Sequence, residues 1–327
     1  MTDITKLPCL GLGCWPMSGP FYHGTRALGY ANTDPAESLA ALDAAYVEGI
    51  RIFDTAAVYG AGKGERLVGD ALKSRDDAFI VTKIGLAFEE ETEQVIGPDT
   101  DPGHVLPAID ACLKRLQRDQ IDLLLLHPNE ISIADSGPIF DEMEKAKQAG
   151  KIASFGWSTD FPDKVAAHTH RDGFAAVEHA MHVFFRAERV REVTEASGLA
   201  SLVRSPLAMG LLSGKYDATT KLPDGDVRTG DEDYNDYYIG GRANPDYLDR
   251  IAAVRDLLQT GGRSLVQGAL SWCMAAGANA IPLPGARTVD QVRENAGALV
   301  NGPLPEDVMA EIERVLDRPE EGEPRIR

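Results

Sequence analysis

The sequence has few cysteines, few basic residues and no long apolar run. Its four cysteines, Cys9, Cys14, Cys112 and Cys273, form no CxxC pair, which favours reduced thiols in a cytoplasmic protein. Lys and Arg number 33 against 51 Asp and Glu, a net charge of −18. This charge disfavours binding to nucleic acid or to an anionic membrane surface. Aliphatic runs such as Leu123–Leu126 are far shorter than the roughly 18 apolar residues that span a membrane.

Strand-like and helical patterns alternate along nearly the whole chain. Its 327 residues, 43% of them hydrophobic, suffice for two ordinary domains or one large α/β barrel. Because the strand-like runs are mainly aliphatic, they predict a parallel sheet, either closed as a barrel or open and doubly wound. Eight runs favour the closed form, a (β/α)8 TIM barrel that spans 1–327 as a single domain. The runs cover residues 9–12, 51–54, 79–83, 121–127, 152–158, 175–178, 199–204 and 280–283.

Helices are predicted between these runs. Asp34 stands as an N-cap before Pro35, and Gly49 follows the end of that helix, the expected order of start and stop residues. Further helices are predicted at 102–117, 138–149, 187–197, 246–259, 264–276 and 289–299.

One segment, 217–244, does not fit this alternation. It is polar and Gly-rich, and it carries Tyr234, Tyr237 and Tyr238. A connection of this length is commonly functional, so we predict a mobile flap over the active face.

Polar residues end six consecutive strand-like runs. In a barrel, the C-terminal ends of the parallel strands meet at one mouth, where such enzymes place catalysis. The six residues therefore predict an active site at that mouth, with the ionisable ones in a partly desolvated cavity. They are Asp54, Lys83, His127, Ser158, Glu178 and Arg204.

Tyr59 lies five residues beyond Asp54, on the loop that leaves the same strand. A charged Lys83 held by Asp54 would lower the pKa of a nearby phenol below its reference value of about 10. Tyr59 could then act as general acid toward a carbonyl oxygen, with His127 as an orienting hydrogen-bond donor. None of these groups supplies a hydride, so a reduction requires a bound cofactor.

The sequence resembles the aldo-keto reductase superfamily in seven ordered segments. This resemblance implies a (β/α)8 barrel and NAD(P)H-dependent reduction of aldehydes or ketones. It also implies that Tyr59 is the proton donor, that Lys83 and Asp54 tune its pKa, and that His127 orients the substrate carbonyl. The segments are 10–15 (LGLGCW), 53–69 (FDTAAVYGAGKGERLVG), 81–83 (VTK), 121–127 (IDLLLLH), 155–158 (FGWS), 205–216 (SPLAMGLLSGKY) and 281–299 (IPLPGARTVDQVRENAGAL).

The same resemblance implies a cofactor-binding set. Arg287 can place a forked guanidinium on a 2′-phosphate, so we expect NADP(H) to be favoured over NAD(H). The residues expected near the nicotinamide are Cys14, Trp15, Asp54, Ser158, Thr159, Glu178 and Arg204; those near the pyrophosphate are Ser205, Pro206, Leu207, Gly210 and Lys215; those near the adenosine are Gly285, Arg287, Gln291, Glu294 and Asn295.

Three positions depart from the family pattern around the nicotinamide. Thr159 replaces the common Asn, Glu178 replaces the usual Gln, and Arg204 replaces an aromatic residue. Glu178 can accept a hydrogen bond from the carboxamide but cannot donate one. Arg204 could lay its planar guanidinium on the nicotinamide ring. A salt bridge between Glu178 and Arg204 would offset part of the positive charge.

Other functions remain open on sequence grounds. A metal site is disfavoured, because Glu178 and His179 point to opposite faces of a strand; solvated positions are expected for His168 and His170, and a place at the substrate rim for His182. Lys83 could form a Schiff base in an aldolase, and a barrel that binds NADP could be a non-catalytic redox sensor or regulatory subunit. The loops 16–33, 89–102 and 217–244 are expected to select a small polar or sugar-type carbonyl. Oligomeric state is not indicated.

Overall fold

The computed structural model describes residues 3–230, 236–318, 320–322 and 324. Within this part, the strands are β1 (Gly11–Gly13), β2 (Tyr22–His23), β3 (Arg26–Ala27), β4 (Ile52–Asp54), β5 (Phe79–Ile84), β6 (Leu86–Glu89), β7 (Gln94–Pro98), β8 (Ile121–Leu126), β9 (Ile152–Ser158), β10 (Phe174–Ala180), β11 (Ala200–Arg204), β12 (Tyr238–Ile239), β13 (Arg242–Ala243) and β14 (Ala280–Pro282). The α-helices are α1 (Pro35–Val47), α2 (Lys63–Leu72), α3 (Val105–Leu116), α4 (Ile133–Gln148), α5 (Pro162–His168), α6 (Glu188–Ala196), α7 (Pro245–Leu258), α8 (Leu265–Ala276), α9 (Val289–Asn301) and α10 (Glu306–Leu316).

Eight parallel strands form the central sheet, in the order β1-β4-β5-β8-β9-β10-β11-β14. The first and last strands meet through a parallel bridge between Gly13 and Gly285, where the Gly13 N–H donates to the Pro284 carbonyl at 3.1 Å. The sheet is thereby closed into a barrel. This confirms the predicted (β/α)8 fold, and every predicted strand run overlaps one barrel strand.

Alternate residues of the barrel strands carry the core and the site on the same face. Ile52, Val81, Ala176 and Leu202 belong to one buried apolar cluster. Successive side chains of a strand point to opposite faces, so the residues two positions later share the inward face. Those residues are Asp54, Lys83, Glu178 and Arg204. The strand period therefore places an apolar floor beneath a ring of ionisable groups.

The helix boundaries follow their caps. The Asp34 side chain accepts hydrogen bonds from the N–H groups of Ala36 and Glu37, as expected for an N-cap. The predicted helix at 138–149 instead begins at Ile133, because Ser132 caps it through the Asp135 N–H; the prediction was wrong by five residues at that end. The sequence reading also missed α2, α5 and α10.

Two loops assigned to substrate selection meet in a small sheet at the mouth. Strands β2 and β3 come from 16–33, strand β7 comes from 89–102, and the sheet order is β3-β2-β7-β6. Tyr22 pairs with Gln94 across the two hairpins. The sheet gives both loops a fixed backbone beside the cavity.

The described residues of 217–244 include buried anchors. Arg228 is 4% exposed, and it donates hydrogen bonds to both carboxylate oxygens of Asp226, at 2.8 and 2.9 Å. Tyr237 and Tyr238 are buried as well, whereas Tyr234 lies outside the described residues. The predicted mobility of this segment stays a prediction.

The chain beyond α10 returns to the barrel. The Arg318 guanidinium donates to the Val183 carbonyl and lies 5.5 Å from the Trp272 ring centroid. The N–H of Glu188 donates to the Glu321 carboxylate at 2.5 Å. These contacts hold Arg318 and Glu321 against the barrel. No helix among the described residues is long and apolar enough to cross a membrane.

Candidate active site

A cavity of about 530 Å³ opens at the C-terminal ends of the barrel strands. It receives side chains from the strand ends, the small sheet at the mouth, the segment 205–216 and the start of α9. All predicted site residues line it except Cys14, Lys83 and Thr159. The predicted convergence of strand ends therefore holds.

Lys83 lies fully buried beneath this lining. Its Nζ is 2.5 Å from Asp54 Oδ1, 3.0 Å from the Thr55 carbonyl and 3.1 Å from Glu178 Oε2. Burial alone would lower the pKa of Lys83, but the two carboxylates outweigh burial and raise it. Burial and the Glu178 charge raise the pKa of Asp54 well above its ordinary value. Lys83 is thus held protonated between two acids.

Tyr59 is wedged between this cluster and the mouth. Its ring centroid lies 5.1 Å from Lys83 Nζ and 6.0 Å from the Trp15 ring, which it faces almost in parallel. The His127 ring stands edge-on to Tyr59 at 5.7 Å. These contacts fix the phenol beside the lysine cation, as the predicted proton donor requires.

His127 is uncharged near neutral pH. Burial, then the Lys83 and Arg204 charges, lower its pKa well below the ordinary value. Its Nδ1 is buried without a hydrogen-bond partner among the described residues. A neutral imidazole carries one N–H, so His127 can donate one hydrogen bond to a carbonyl oxygen.

Glu178 and Arg204, which depart from the family pattern, do not form the salt bridge that was predicted between them. Arg204 forms its salt bridge with Asp160, and Glu178 pairs with Lys83; the suggested Glu178–Arg204 bridge was wrong. Asp160 follows the end of β9, and its carboxylate also accepts a hydrogen bond from the Ala180 N–H at 2.8 Å. This second hydrogen bond holds the Asp160 carboxylate beside Arg204. The sequence reading missed Asp160, because it lies two residues beyond the strand end.

Thr159 does not reach the cavity. Its hydroxyl donates to Asn129 Oδ1 at 2.8 Å, and the Asp160 N–H donates to the same oxygen at 3.0 Å. Asn129 itself lines the cavity. Asn129, on the loop after β8, therefore presents a side-chain amide to the cavity, which Thr159 does not reach. An Asn two residues past His127 was the available signal.

Cys14 is also turned away from the cavity. The side chain is fully buried and its Sγ lies 3.7 Å from the Leu12 carbonyl. Burial, then the Asp54 charge, raise the pKa of the thiol. A raised pKa leaves the thiol protonated and weakly nucleophilic. Cys14 is not among the residues that line the cavity, whereas the neighbouring Trp15 is; the contact of Cys14 with a cofactor stays a prediction.

The segment expected at the pyrophosphate has an unusual backbone. Ser205, Ala208 and Met209 adopt positive φ angles of 55°, 47° and 52°, and Gly210 one of 92°. Non-glycine residues in this region cost about 1 kcal/mol or more each and cluster at ligand-binding segments. Lys215 lies exposed at the rim of the same stretch.

The adenosine-side residues surround the start of α9. Thr288 caps this helix through the Gln291 N–H, and Gln291 Oε1 accepts the Arg287 N–H at 2.8 Å. The Arg287 guanidinium lines the cavity while donating to the Ala31 carbonyl at 3.2 Å. Asn295 Nδ2 is buried without a partner among the described residues. A helix N-terminus beside an arginine suits a phosphate group.

An arginine not foreseen from the sequence also lines the cavity. Arg228 donates to the Tyr216 hydroxyl at 2.8 Å and lies 5.1 Å from the Tyr30 ring and 5.6 Å from the Tyr238 ring. It stands against Gly210, where a Cβ atom would lie 3.6 Å from its Nη1. The segment 217–244 thereby reaches the expected pyrophosphate stretch.

A cluster of apolar side chains lies next to Tyr59 in the cavity wall. The Trp15 indole N–H donates to the Leu28 carbonyl at 3.0 Å. Because its one polar group is satisfied there, the indole can offer a ligand an apolar ring surface. Phe21 lies 6.3 Å from the Tyr59 ring. The apolar side chains that line this end are Trp15, Phe21, Leu28, Val58, Leu86, Val95 and Pro98.

Three of the four histidines considered for a metal are buried at separate positions, and His170 is exposed, as expected. His168, expected to be solvated, is buried against Phe140 at 4.6 Å, and burial lowers its pKa to about 4. His179 is 2.6 Å from Ser201 Oγ, on the strand face opposite Glu178. His182 lies behind Tyr237, 2.7 Å from its hydroxyl, and not at the rim. The described residues contain no group of three or more metal-ligating side chains.

These features define a (β/α)8-barrel enzyme with a buried acid–base cluster at the C-terminal ends of its strands. A family profile described as the Aldo/keto reductase family matches residues 20–317. The chain therefore belongs to the aldo/keto reductase family and is an NAD(P)H-dependent oxidoreductase. The resemblance inferred from the seven sequence segments is confirmed.

Relatives of known structure or sequence cover nearly the whole chain. A probable aldo-keto reductase 1 from Glycine max is 27% identical over 304 residues, which are 91% of this chain and 81% of that protein. The holo form of aldo-keto reductase AKR11C1 from Bacillus halodurans is 28% identical, has a TM-score of 0.72, and the match covers 94% of this chain and 91% of that one. The glycerol dehydrogenase AKR11B4 from Gluconobacter oxydans is 26% identical, with a TM-score of 0.79 and coverage of 96% and 94%.

Proposed function

We propose that the protein is an NADP(H)-dependent reductase of an aldehyde or ketone in which Tyr59 protonates the carbonyl oxygen. The observation that carries this proposal is the Lys83 ammonium, held between two buried carboxylates 5.1 Å from the centroid of the Tyr59 ring. A cation there favours the phenolate that forms when Tyr59 gives up its proton. His127 donates its single N–H to the same oxygen, and both donors lie in one cavity.

The cavity residues fit a dinucleotide. Asn295 Nδ2 is a buried donor with no partner in the described chain, and the left-handed turns at 205–210 shape the wall beside Arg228 and Lys215. Arg287 and the N-terminus of α9 would hold a 2′-phosphate, and Ser158, Glu178 and Asn129 would contact the carboxamide. When bound, this cofactor supplies a hydride to the carbonyl carbon. The oxygen gains the Tyr59 proton, an alcohol forms, and Tyr59 regains its proton from solvent.

A Schiff-base aldolase is disfavoured by the state of Lys83. Amine attack on a carbonyl requires a neutral lysine, whereas Lys83 is buried between Asp54 and Glu178, which together raise its pKa. The lysine also lies behind the cavity lining. No contact among the described residues supports the alternative role of a non-catalytic redox sensor.

Residence in the cytoplasm stays a prediction.

We further propose an apolar carbonyl substrate in place of the small polar or sugar-type one expected from the loops. Trp15, Phe21 and Leu86 face the Tyr59 end of the cavity, and burial of each apolar group there contributes about 25 cal/mol per Å². The similarity to a glycerol dehydrogenase points the other way, so glyceraldehyde is the matched comparison.

The experiment measures NADPH oxidation with hexanal, benzaldehyde and glyceraldehyde. We expect kcat/KM for the two apolar aldehydes to exceed that for glyceraldehyde by about tenfold or more, since one or two buried methylenes are worth that much. Phe21→Ala should narrow the gap by raising KM for benzaldehyde. A preference for glyceraldehyde would overturn the substrate class; no turnover with any carbonyl, despite NADPH binding, would overturn the reductase.

A further inference from the structure

The floor of the site carries three buried carboxylates and two cations. Lys83 is paired with both Asp54 and Glu178, and Arg204 is paired with Asp160. Glu178 is 2% exposed and Lys83 fully buried. His127, which faces this cluster from the end of β8, is neutral because burial and the two cations lower its pKa. When all three carboxylates are ionised, these five groups, Glu178 among them, sum to one negative charge.

Glu178 is the carboxylate of this set that belongs to the cavity wall on the side of Ser158. The two residues stand opposite each other in the β9–β10 register, and Ser158 Oγ lies 3.5 Å from Glu178 Oε1. Hydride transfer requires the donor carbon within about 3–3.5 Å of the carbonyl carbon, whose oxygen must reach Tyr59. Ser158 and Glu178, which line the same cavity as Tyr59, would then hold a nicotinamide beside Tyr59.

We propose that Glu178 supplies an uncompensated negative charge at the nicotinamide ring, and that this charge makes the protein hold NADP⁺ more tightly, relative to NADPH, than a neutral residue would. This inference rests on the proposed function. The oxidised ring is a cation and the reduced ring is neutral, so a buried anion nearby stabilises only the oxidised form. Hydride transfer from the bound reduced cofactor is thereby favoured, and release of NADP⁺ is slowed.

The same excess charge couples cofactor binding to a proton. Asp54 and Glu178 share Lys83 Nζ, at 2.5 and 3.1 Å, and burial and the Glu178 charge raise the pKa of Asp54 well above its ordinary value. Asp54 therefore keeps its proton to a higher pH than an exposed carboxyl does, and a cationic ring nearby would favour its ionised form. Binding of NADP⁺ is expected to release a proton and to tighten as pH rises through the titration of Asp54, while binding of NADPH does neither.

The test compares dissociation constants for NADP⁺ and NADPH, by quenching of Trp fluorescence, in the parent, Glu178→Gln and Glu130→Gln. Glu130 is an exposed carboxylate at the same cavity, so its removal makes the same chemical change without a buried charge. We expect the ratio Kd(NADP⁺)/Kd(NADPH) to rise about tenfold in Glu178→Gln and less than twofold in Glu130→Gln. An unchanged ratio in Glu178→Gln overturns the proposal.

Calorimetry of the parent in two buffers of different ionisation enthalpy provides a test that needs no variant. Proton release on binding of NADP⁺, absent with NADPH, supports the proposal, and equal proton exchange with the two forms contradicts it. If the parent binds neither form, the proposed function fails with it. If both forms bind and Kd(NADP⁺)/Kd(NADPH) is the same in the parent and in Glu178→Gln, the inference about Glu178 fails and the proposed function stands.

Discussion

Lys83 shows how burial and pairing together set the chemistry of one residue. A lysine this deeply buried would ordinarily lose its proton, but Asp54 Oδ1 at 2.5 Å and Glu178 Oε2 at 3.1 Å keep it charged. The cation lies 5.1 Å from the centroid of the Tyr59 ring. The protonation state of each ionisable side chain in this cluster therefore depends on its partners as well as on its residue type.

That dependence marks the limit of residue-level prediction from the sequence. Position at the end of a strand-like run correctly predicted that Asp54, Lys83, Glu178 and Arg204 meet at one end of the barrel. It could not give the pairing, because Asp160 reaches Arg204 from a loop position outside the alternation. Arg228 was missed for a similar reason, since its segment has no periodicity to place its side chain.

Cofactor choice is expected to depend on Arg287. Replacing it with Ala should raise Kd for NADPH about tenfold or more, because a forked guanidinium–phosphate contact is lost, and should change Kd for NADH less than twofold. Arg293→Ala is the control, since Arg293 is an exposed residue of α9 paired with Glu48. Fluorescence titration measures both constants. An equal loss of NADH and NADPH binding would contradict recognition of the 2′-phosphate by Arg287. It would indicate that Arg287 acts by holding the local fold through its hydrogen bond to the Ala31 carbonyl.

At the scale of elements, close approach between helices outweighs local propensity. Gly268 lies inside α8, where Ala would ordinarily stabilise a helix by about 0.5–1 kcal/mol. A Cβ atom at Gly268, however, would collide with the Leu258 carbonyl at the end of α7. The glycine permits the two helices to pack.

Gly268→Ala is therefore expected to lower the free energy of unfolding by about 2 kcal/mol or more, measured by urea denaturation. Gly297→Ala in α9 is the matched control. Its Cβ would meet only the Gln267 side chain, which can move if it gives up part of its hydrogen bonding to Ser264, Glu294 and Asn301, so a cost of about 1 kcal/mol is expected. A stabilised Gly268→Ala protein would show that α7 and α8 separate readily.

The sequence predicted the buried barrel strands well. It predicted the start of a helix poorly where the capping residue was not recognised. The eight barrel strands are aliphatic and bounded by turn residues, and each was found within a few residues. The sequence predicts that α4 begins at Pro138, although Ser132 caps that helix six residues earlier. Helix α2 follows the left-handed Gly62 and contains two glycines, so its sequence carries no start signal of the usual kind.

At the scale of the whole molecule, the closed barrel brings distant segments into one cavity. Residues of the first strand, the segment 205–216 and the start of α9 line the same space, although they lie up to about 280 positions apart. A net charge of −18 repels anions at long range, so the proposed binding of a dinucleotide relies on local cations such as Arg287 and Lys215. Mobile counter-ions screen the long-range charge beyond about 8–10 Å.

The direct test of Tyr59 as the proton donor is the turnover of Tyr59→Phe with NADPH and hexanal, recorded together with the Kd for NADPH in the same samples. Loss of the general acid should lower kcat at least about 100-fold, while Kd changes less than threefold because the aromatic ring remains. Tyr46→Phe, which removes a hydroxyl bonded to Asp77 on the surface, should retain full activity. A Tyr59→Phe protein with more than a tenth of the parent kcat would contradict the assignment.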